Sequence, residues 1–253
     1  MQCKCNGFAT LEKSLRGPAP NQGVPRNARI VAPGVAHHVT QRGTNKQTIF
    51  FSERDRDVYL GLLRTHSKET GLRILAYCLM DNHIHLVCVP EEPDSLAVSL
   101  RRAHGRCAQY VNALKQRGGH LWQGRFYSCP LDENHLWAAL RYVELNPVRA
   151  GLVTKPEAHP YSSALAHLSL SGRDGEGILD MEFWKGATRD MRWGDLLEVV
   201  ETNAELRQLR RATYAGNPLG TSDFVLRWGR SSGSGESVAA SSGTFPPESR
   251  KRL

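Results

Sequence analysis

The sequence predicts an α+β fold built on an antiparallel sheet. The first observation that predicts it is a pair of apolar segments rich in β-forming residues, 72–79 and 84–89, separated by the turn signal Asp81-Asn82. The second is a helical pattern that begins near residue 132, after a strand-like segment. A strand hairpin flanked by helices is typical of a two-layer α+β domain.

The remaining elements follow the chain in an alternating order. From residue 35 the pattern predicts a strand at about 35–41, a helix at 52–69, strands at 72–79 and 83–89, a helix at 95–116, a strand at 124–129 and a helix at 132–146. This is the βαββαβ order of a ferredoxin-like sheet with one added helix. We expect helices on one side of the sheet and a free face for a ligand on the other.

The last of these helices carries two polar side chains of interest. Asp132 suits the N-cap, apolar residues recur at helical spacing, and Pro147 favours an end at residue 146. Tyr142 and Asn146 are four residues apart, so they lie on one face of the helix. They provide a nucleophile and a hard oxygen ligand for a divalent metal. Taken alone, the segment also fits an ordinary amphipathic helix with a half-buried tyrosine and a capping asparagine.

His83-Ile84-His85 begins the second strand of the hairpin. Side chains two residues apart on a strand project from the same face, so both imidazoles are presented to one point. Two nitrogen ligands on one face predict a metal site. The alternative is that the two histidines fill a half-polar face of the sheet.

Together these motifs resemble a known family. The chain contains Met80-Asp-Asn-His-Ile-His85, Leu121-Trp-Gln-Gly-Arg-Phe126 and Tyr142-Val-Glu-Leu-Asn-Pro-Val-Arg-Ala-Gly151, with His37-His-Val-Thr-Gln-Arg-Gly43 upstream and Tyr161-Ser-Ser163 downstream. In this order they look like the HUH single-strand DNA transposases, and most like the REP-associated tyrosine transposases. The resemblance covers residues 30–165 well and 200–228 loosely.

The resemblance implies an enzyme that cleaves and rejoins single-stranded DNA at hairpin or palindromic repeats. Tyr142 is the expected nucleophile, forming a 5′-phosphotyrosine and leaving a free 3′-hydroxyl. His83, His85 and Asn146 are the expected metal ligands, and their donor types suit Mg²⁺ or Mn²⁺, with the imidazoles favouring Mn²⁺. Such an ion offsets the repulsion between the phosphate oxygens and a nucleophile. Relatives include both homodimers and monomers, and we leave that choice open.

The charge distribution predicts a nucleic-acid contact. The formal net charge is +8. From residue 95 to 130 there is no Asp or Glu, but there are six cations, which we expect to bind DNA: Arg101, Arg102, Arg106, Lys115, Arg117 and Arg125. A solvated helix face normally interleaves acids with its bases, and none is present in this stretch.

Several alternatives compete with this assignment. Tyr110 and Tyr127 are rival tyrosines, interpreted as core or DNA-stacking residues, and related transposases use a longer glutamine where Asn146 stands. His38 is expected to point inward in a structural role. Two other classes of protein fit part of the pattern: a nucleic-acid-binding module without catalysis, and a metal-dependent phosphodiesterase that uses activated water. Plasmid replication initiators and relaxases share the paired histidines but carry a different surrounding pattern.

The domain organisation follows from composition. We expect an irregular N-terminal extension at 1–29, a catalytic domain at 30–165, a helical extension at 166–228 with helices at about 194–202, 204–212 and 221–228, and a disordered tail at 229–253. Four of the six cysteines fall in apolar elements, where Cys78 and Cys88 could face one another in reduced form. The apolar runs are too short to span a membrane, so a cytoplasmic, nucleoid-associated protein is expected.

Overall fold

The computed structural model describes residues 29–169, 177–199 and 201–229. Three predicted segments fall mostly outside the described residues: the tail from residue 230 onward, nearly all of the N-terminal extension with Cys3 and Cys5, and most of the glycine-rich stretch near 171–177.

A four-stranded antiparallel sheet forms the centre of the fold. Its strands are β1 (His37–Arg42), β2 (Leu72–Met80), β3 (His83–Pro90) and β4 (Tyr127–Pro130), in the spatial order β2-β3-β1-β4. All neighbouring pairs are antiparallel, as the βαββαβ order requires. The predicted α+β, ferredoxin-like class is therefore confirmed.

Helices α1 (Glu53–Thr70) and α2 (Ser95–Leu114) cover one face of the sheet. Ser52 and Asp55 form a capping box that starts α1, and Gly71 ends it in the left-handed conformation at φ 64°. The core on this face joins apolar strand residues to the inward sides of both helices, among them Val39, Ile84, Leu86, Leu63 and Leu100.

The second face is also covered, so the expectation of a free face is wrong. It is packed by α3 (Glu133–Glu144) and by the C-terminal helices α6 (Met181–Ala187), α7 (Trp193–Glu198) and α8 (Asn203–Ala215). The reason lies in the strands, whose residues on this side include Ala76, Cys78, Val87 and Val89 and are as apolar as those on the other. Among the described residues, an open pocket lies at the end of this face near the β2–β3 turn, beside His83 and His85.

The tyrosine helix ends earlier than predicted. Helix α3 stops at Glu144, and after Leu145 (φ −81°, ψ 0°) a separate turn α4 (Asn146–Arg149) begins. Pro147 has no N–H to donate to the carbonyl of Val143, so the α-helical ladder breaks there. Asn146 is thus the first residue of α4 rather than the last residue of α3.

The C-terminal region is helical, as expected. Helices α7, α8 and α9 (Ser222–Trp228) match the three predicted segments, while α5 (Ala164–Ser169), α6 and the 3-10 turns Thr44–Lys46 and Pro156–Ala158 were not predicted. Each is short, and few turns give little periodicity to detect. No helix in the described ranges has the length and apolarity of a membrane span.

The described cysteines are free and buried, which agrees with their apolar surroundings. Cys78 and Cys88, however, lie in the two different cores on opposite faces of the sheet, so the expectation that they face one another is wrong. Burial raises the pKa of Cys107 and of Cys129 to about 12, which keeps these thiols protonated and unreactive.

Candidate active site

The strand register places the two histidines side by side at the open end of the sheet. In the antiparallel pair of β1 and β3, His83 lies opposite Arg42 and His85 lies opposite Thr40. Directly paired residues share a face, so all four side chains project toward the α3 side. The rings of His83 and His85 are 5.1 Å apart, as the strand spacing predicted.

Tyr142 reaches the same point from α3. Its ring lies edge-on to His85, with the ring centroids 5.3 Å apart. Asn146, at the start of α4, lines the same pocket as His83, His85 and Tyr142. The structure therefore brings together the four residues that the sequence singled out for catalysis and metal binding, and all of them come from one chain.

A chain of hydrogen bonds fixes the tautomer of His85. Thr213 donates its hydroxyl proton to the carbonyl of Leu209, so its oxygen accepts from Nδ1 of His38 at 2.8 Å. Burial lowers the pKa of His38 to about 3, so its Nε2 carries no proton and accepts from Nδ1 of His85 at 3.1 Å. His85 is thereby left with its lone pair on Nε2.

His83 is oriented in the same way by its neighbour. Its Nδ1 donates to the side-chain oxygen of Asn82 at 2.6 Å, which leaves the lone pair on Nε2. Burial lowers the pKa of His83 to about 4 and that of His85 well below its usual value, so both rings are neutral near pH 7. Within the described ranges, neither Nε2 atom nor the side-chain amide of Asn146 has a hydrogen-bond partner.

This donor set fits a divalent cation with open coordination positions. Two neutral imidazoles present unpartnered Nε2 atoms, and an unpartnered amide oxygen lines the same pocket. In the described part of the chain no cluster of three or more His, Cys, Asp and Glu residues suited to a metal occurs, and Asn146 is the one amide side chain that lines this pocket.

Two arginines surround Tyr142, and no sequence motif assigned a role to either. The Nε of Arg210, on α8, donates to the phenol oxygen at 3.1 Å, and this hydrogen bond raises the pKa of Arg210. The guanidinium of Arg149 lies 4.5 Å from the centre of the phenol ring and also bonds to the carbonyl of Tyr142 and to Glu201. The phenol oxygen therefore accepts a hydrogen bond from one guanidinium, while a second guanidinium lies against its ring.

His38 was expected to be inward and structural, and it is buried. Its hydrogen bond and ring contact with His85 hold the His85 ring in one orientation. Helix α8 completes this arrangement because Arg210 and Thr213 both face the site. The only signal in the sequence was the looser match at 200–228, which assigned no residue there.

The six predicted DNA-binding cations do not line this pocket. Arg101, Arg102 and Arg106 lie on α2, across the sheet from Tyr142, where they line a shallow depression. Arg102 pairs with Glu69 of α1 at 3.2 Å, so one of these bases has an acidic partner from outside the acid-free stretch.

The other three cations lie elsewhere on the surface. Lys115 and Arg117 approach the exposed ring of Phe51, with the Lys115 ammonium 4.1 Å from its centre. Arg125 is exposed, near the guanidinium of Arg29, whose pKa is lowered chiefly by burial and also by Arg125.

The rival tyrosines are separated from the histidines. Tyr110 donates to Asp55 at 3.2 Å on the α1–α2 side of the sheet. Tyr127 is exposed on β4 and packs against Tyr214 rather than against the imidazoles. Of these three tyrosines, only Tyr142 contacts His85.

A buried carboxylate anchors the end of α3. Glu144 is fully buried and accepts hydrogen bonds from Ser163 at 2.6 Å, from the indole of Trp193 at 2.7 Å and from His167. These partners lie in or just before α5 and α7. Glu144 therefore ties the helix that carries Tyr142 to the C-terminal region, two residues from the phenol.

We expect Glu144→Ala to lower the free energy of unfolding by about 3–5 kcal/mol, because three buried donors lose their acceptor. Glu144→Gln is expected to cost less, since the amide oxygen still accepts. Urea unfolding measures both, with Glu133→Ala as the control, an exposed glutamate at the start of the same helix. A Glu144→Ala variant no less stable than this control would show that the network contributes nothing.

Comparisons with known proteins identify relatives of this chain. The family model described as "Transposase IS200 like" matches residues 33–146. A protein from Haemophilus influenzae named as a REP-associated tyrosine transposase is 30% identical over 142 residues, which cover 49% of this chain and 81% of that protein.

A solved structure extends the likeness to the fold. It is a REP-associated tyrosine transposase bound to a REP hairpin, with a TM-score of 0.51 and 16% sequence identity, covering 59% of this chain and 87% of the other. This similarity supports the shared fold, while the family rests on the sequence matches. The chain belongs to the family of REP-associated tyrosine transposases.

Proposed function

We propose that this chain is a metal-dependent tyrosine transposase that cleaves and rejoins single-stranded DNA at hairpin sequences through a 5′-phosphotyrosine. The observation that carries the proposal is the shared pocket. A phenol held by a guanidinium faces two neutral imidazoles whose Nε2 lone pairs are free. A nucleophile and metal donors at one open site are what phosphodiester transfer requires.

The covalent step assigns a task to each side chain. The phenol oxygen of Tyr142 attacks the phosphorus, forming an O–P bond while the bond from phosphorus to the 3′-oxygen breaks. The phenol proton passes to water, and the departing 3′-oxygen takes up a proton to become a hydroxyl. Arg210 stabilises the phenolate as the proton leaves, since it already donates to this oxygen. Rejoining reverses these steps, with a 3′-hydroxyl as the attacking group.

His83, His85 and Asn146 would hold Mg²⁺ or Mn²⁺ in this pocket. The ion supplies Lewis-acid stabilisation of the phosphate charge. The protein supplies the orientation, through the hydrogen bonds that His85 donates to His38 and that His83 donates to Asn82. Because α3 packs on the sheet of its own chain, we propose that a single copy carries a complete site and acts in cis.

The proposed DNA partner combines a hairpin with an unpaired segment. The solved relative is bound to a REP hairpin, which supports a hairpin here. The pocket at Tyr142 would take the unpaired strand, and the cations across the sheet would hold other phosphates of the same DNA.

Removing charge on α2 tests this second contact. We expect Arg101→Gln, Arg102→Gln and Arg106→Gln to weaken binding to any DNA sequence and to reduce the slope of log affinity against log salt by about one unit for each phosphate no longer neutralised. Arg102 should contribute least because Glu69 already pairs with it. Titration at several salt concentrations measures the slope, with the exposed Arg192→Gln as the control. An unchanged slope would place the DNA elsewhere.

A labelled hairpin oligonucleotide with single-stranded extensions tests the function itself. With Mn²⁺, a label at the 3′ end should move with the denatured protein, because the tyrosine retains the 5′-phosphate of the downstream fragment. A label at the 5′ end should appear on a shortened strand with a free 3′-hydroxyl. Cleavage without protein attachment would indicate a phosphodiesterase, and binding without cleavage would indicate a binding module.

A further inference from the structure

Two exposed tyrosines touch each other at the rim of the active-site pocket. Tyr127 is 41% exposed and Tyr214 is 47% exposed, and their ring centroids are 5.0 Å apart at an angle of 70°. Within the described ranges, the only other exposed Phe, Tyr or Trp side chain is Phe51. Large aromatic side chains are normally buried, so an exposed pair beside a reactive site points to a binding role.

The sheet register fixes the distance of this pair from the reactive centre. Thr40 of β1 pairs with His85 on one side and with Tyr127 on the other. The three side chains therefore lie in one row on the same face. Two strand spacings of about 4.8 Å put the backbone of Tyr127 roughly 10 Å from that of His85.

Helix α8 brings the second ring. Tyr214 follows Arg210 by four residues, so the two lie on the same side of the helix. Arg210 reaches the phenol of Tyr142, and Tyr214 lines the pocket edge that faces β4. Helix α8 thus contacts the nucleophile through Arg210 and supplies one ring of the aromatic pair.

We propose that Tyr127 and Tyr214 form a stacking platform for an unpaired nucleobase next to the scissile phosphate. The inference rests on the proposed function and names the part of the substrate that these residues hold. Aromatic side chains bind single-stranded nucleic acid by stacking on bases, whereas paired bases in a duplex are already stacked on one another.

The charged residues around the platform also favour a single-stranded nucleic acid. Arg42 donates to the hydroxyl of Tyr214 at 3.3 Å and lies beside His83 in the register. Arg42, Arg149 and Arg210 all line the pocket, and among the described residues no Asp or Glu lines it, although Glu201 pairs with Arg149 from beside it. A base on the two rings would keep its phosphates among these guanidinium groups, which is the combination found in single-strand binding grooves.

Fluorescence of 2-aminopurine tests the platform in the intact protein. Hairpins with a single-stranded extension would carry the analogue at successive positions, in EDTA so that no cleavage occurs. The wild type should alter the fluorescence strongly at one or two adjacent positions near the cleavage site. A uniform response along the extension would overturn the proposal.

Matched variants separate stacking from simple packing. Tyr127→Leu and Tyr214→Leu, which keep an apolar side chain without a ring, should weaken binding of the extended hairpin about five- to 100-fold. Tyr127→Phe and Tyr214→Phe should stay within about two-fold, and all four should bind a blunt hairpin as the wild type does. Leu165→Ala, an exposed change on α5, serves as the control.

The outcomes separate a failure of the proposed function from a failure of the stacking platform. A wild type that gains no affinity from the unpaired extension would contradict the proposed function, and the platform with it. A wild type that gains affinity, combined with unchanged binding in both leucine variants, would contradict the platform alone. If the phenylalanine variants lose as much affinity for the extended hairpin as the leucine variants do, the effect belongs to the hydroxyl groups. That result would overturn stacking.

Discussion

Replacing Tyr142 by phenylalanine is expected to abolish covalent attachment of DNA while leaving affinity for DNA within a few-fold. The change removes the nucleophilic oxygen and its hydrogen bond from Arg210, and it keeps the ring against His85. Cleavage and attachment should fall together by at least several orders of magnitude, because no second phenol contacts the imidazoles among the described residues. Denaturing gels of protein incubated with a 3′-labelled hairpin measure the adduct.

The matched control is Tyr110→Phe. This tyrosine bonds to Asp55 on the other side of the sheet, so its loss should leave attachment unchanged. Attachment that survives in Tyr142→Phe and disappears in Tyr110→Phe would reassign the nucleophile.

Replacing either metal-binding histidine is expected to abolish both cation binding and cleavage. His83→Ala and His85→Ala each delete one of two imidazole donors, and water replaces an imidazole poorly. Asn146→Ala should be milder, because water readily takes the place of a neutral amide oxygen, and Asn146→Asp should bind the ion more tightly by adding charge. Calorimetric titration with Mn²⁺ measures binding independently of nicking activity.

His120→Ala provides the histidine control, since this residue is exposed and lies outside the pocket. It should bind Mn²⁺ and nick DNA as the wild type does. Full nicking by both His83→Ala and His85→Ala, or by the wild type in EDTA, would remove the metal from the mechanism.

Local periodicity predicted the parts of the site that lie within single elements. The period of two along β3 placed His83 and His85 on one face, and the period of α3 placed Tyr142 and Asn146 near each other even though Pro147 splits the helix. Neither pattern showed which elements would meet. The resemblance to a family supplied that step, and the structure places the four residues in one pocket.

The contacts that complete the site depend on tertiary docking, which no local pattern encodes. Arg210 is 68 residues from Tyr142 in the chain, and Thr213 is 175 residues from His38, yet both contacts form when α8 packs over β1 and β4. The covered second face was missed for a related reason. Apolar residues on both sides of β2 and β3 indicate burial on both sides, and the prediction considered helices on one side only.

The basic stretch of the sequence predicted a contact with nucleic acid, but it did not predict which cations lie beside the active-site tyrosine. The acid-free stretch from residue 95 to 130 spans α2, the loop that follows it and β4, and its three arginines on α2 lie across the sheet from Tyr142. The cations beside the phenol, Arg149 and Arg210, lie outside that stretch. Charge density along a sequence therefore favours a nucleic-acid partner without locating the reacting phosphate.

Mapping the DNA-linked residue tests the central claim most directly. Trypsin cuts after Arg141 and Arg149, so Tyr142 falls in the peptide 142–149, whereas Tyr110 falls in 107–115, Tyr127 in 126–141 and Tyr214 in 212–227. After reaction with a hairpin oligonucleotide and nuclease trimming, mass spectrometry should find the added nucleotide on peptide 142–149 alone. A nucleotide on any of the other three peptides, or cleaved DNA with no modified peptide, would contradict the account.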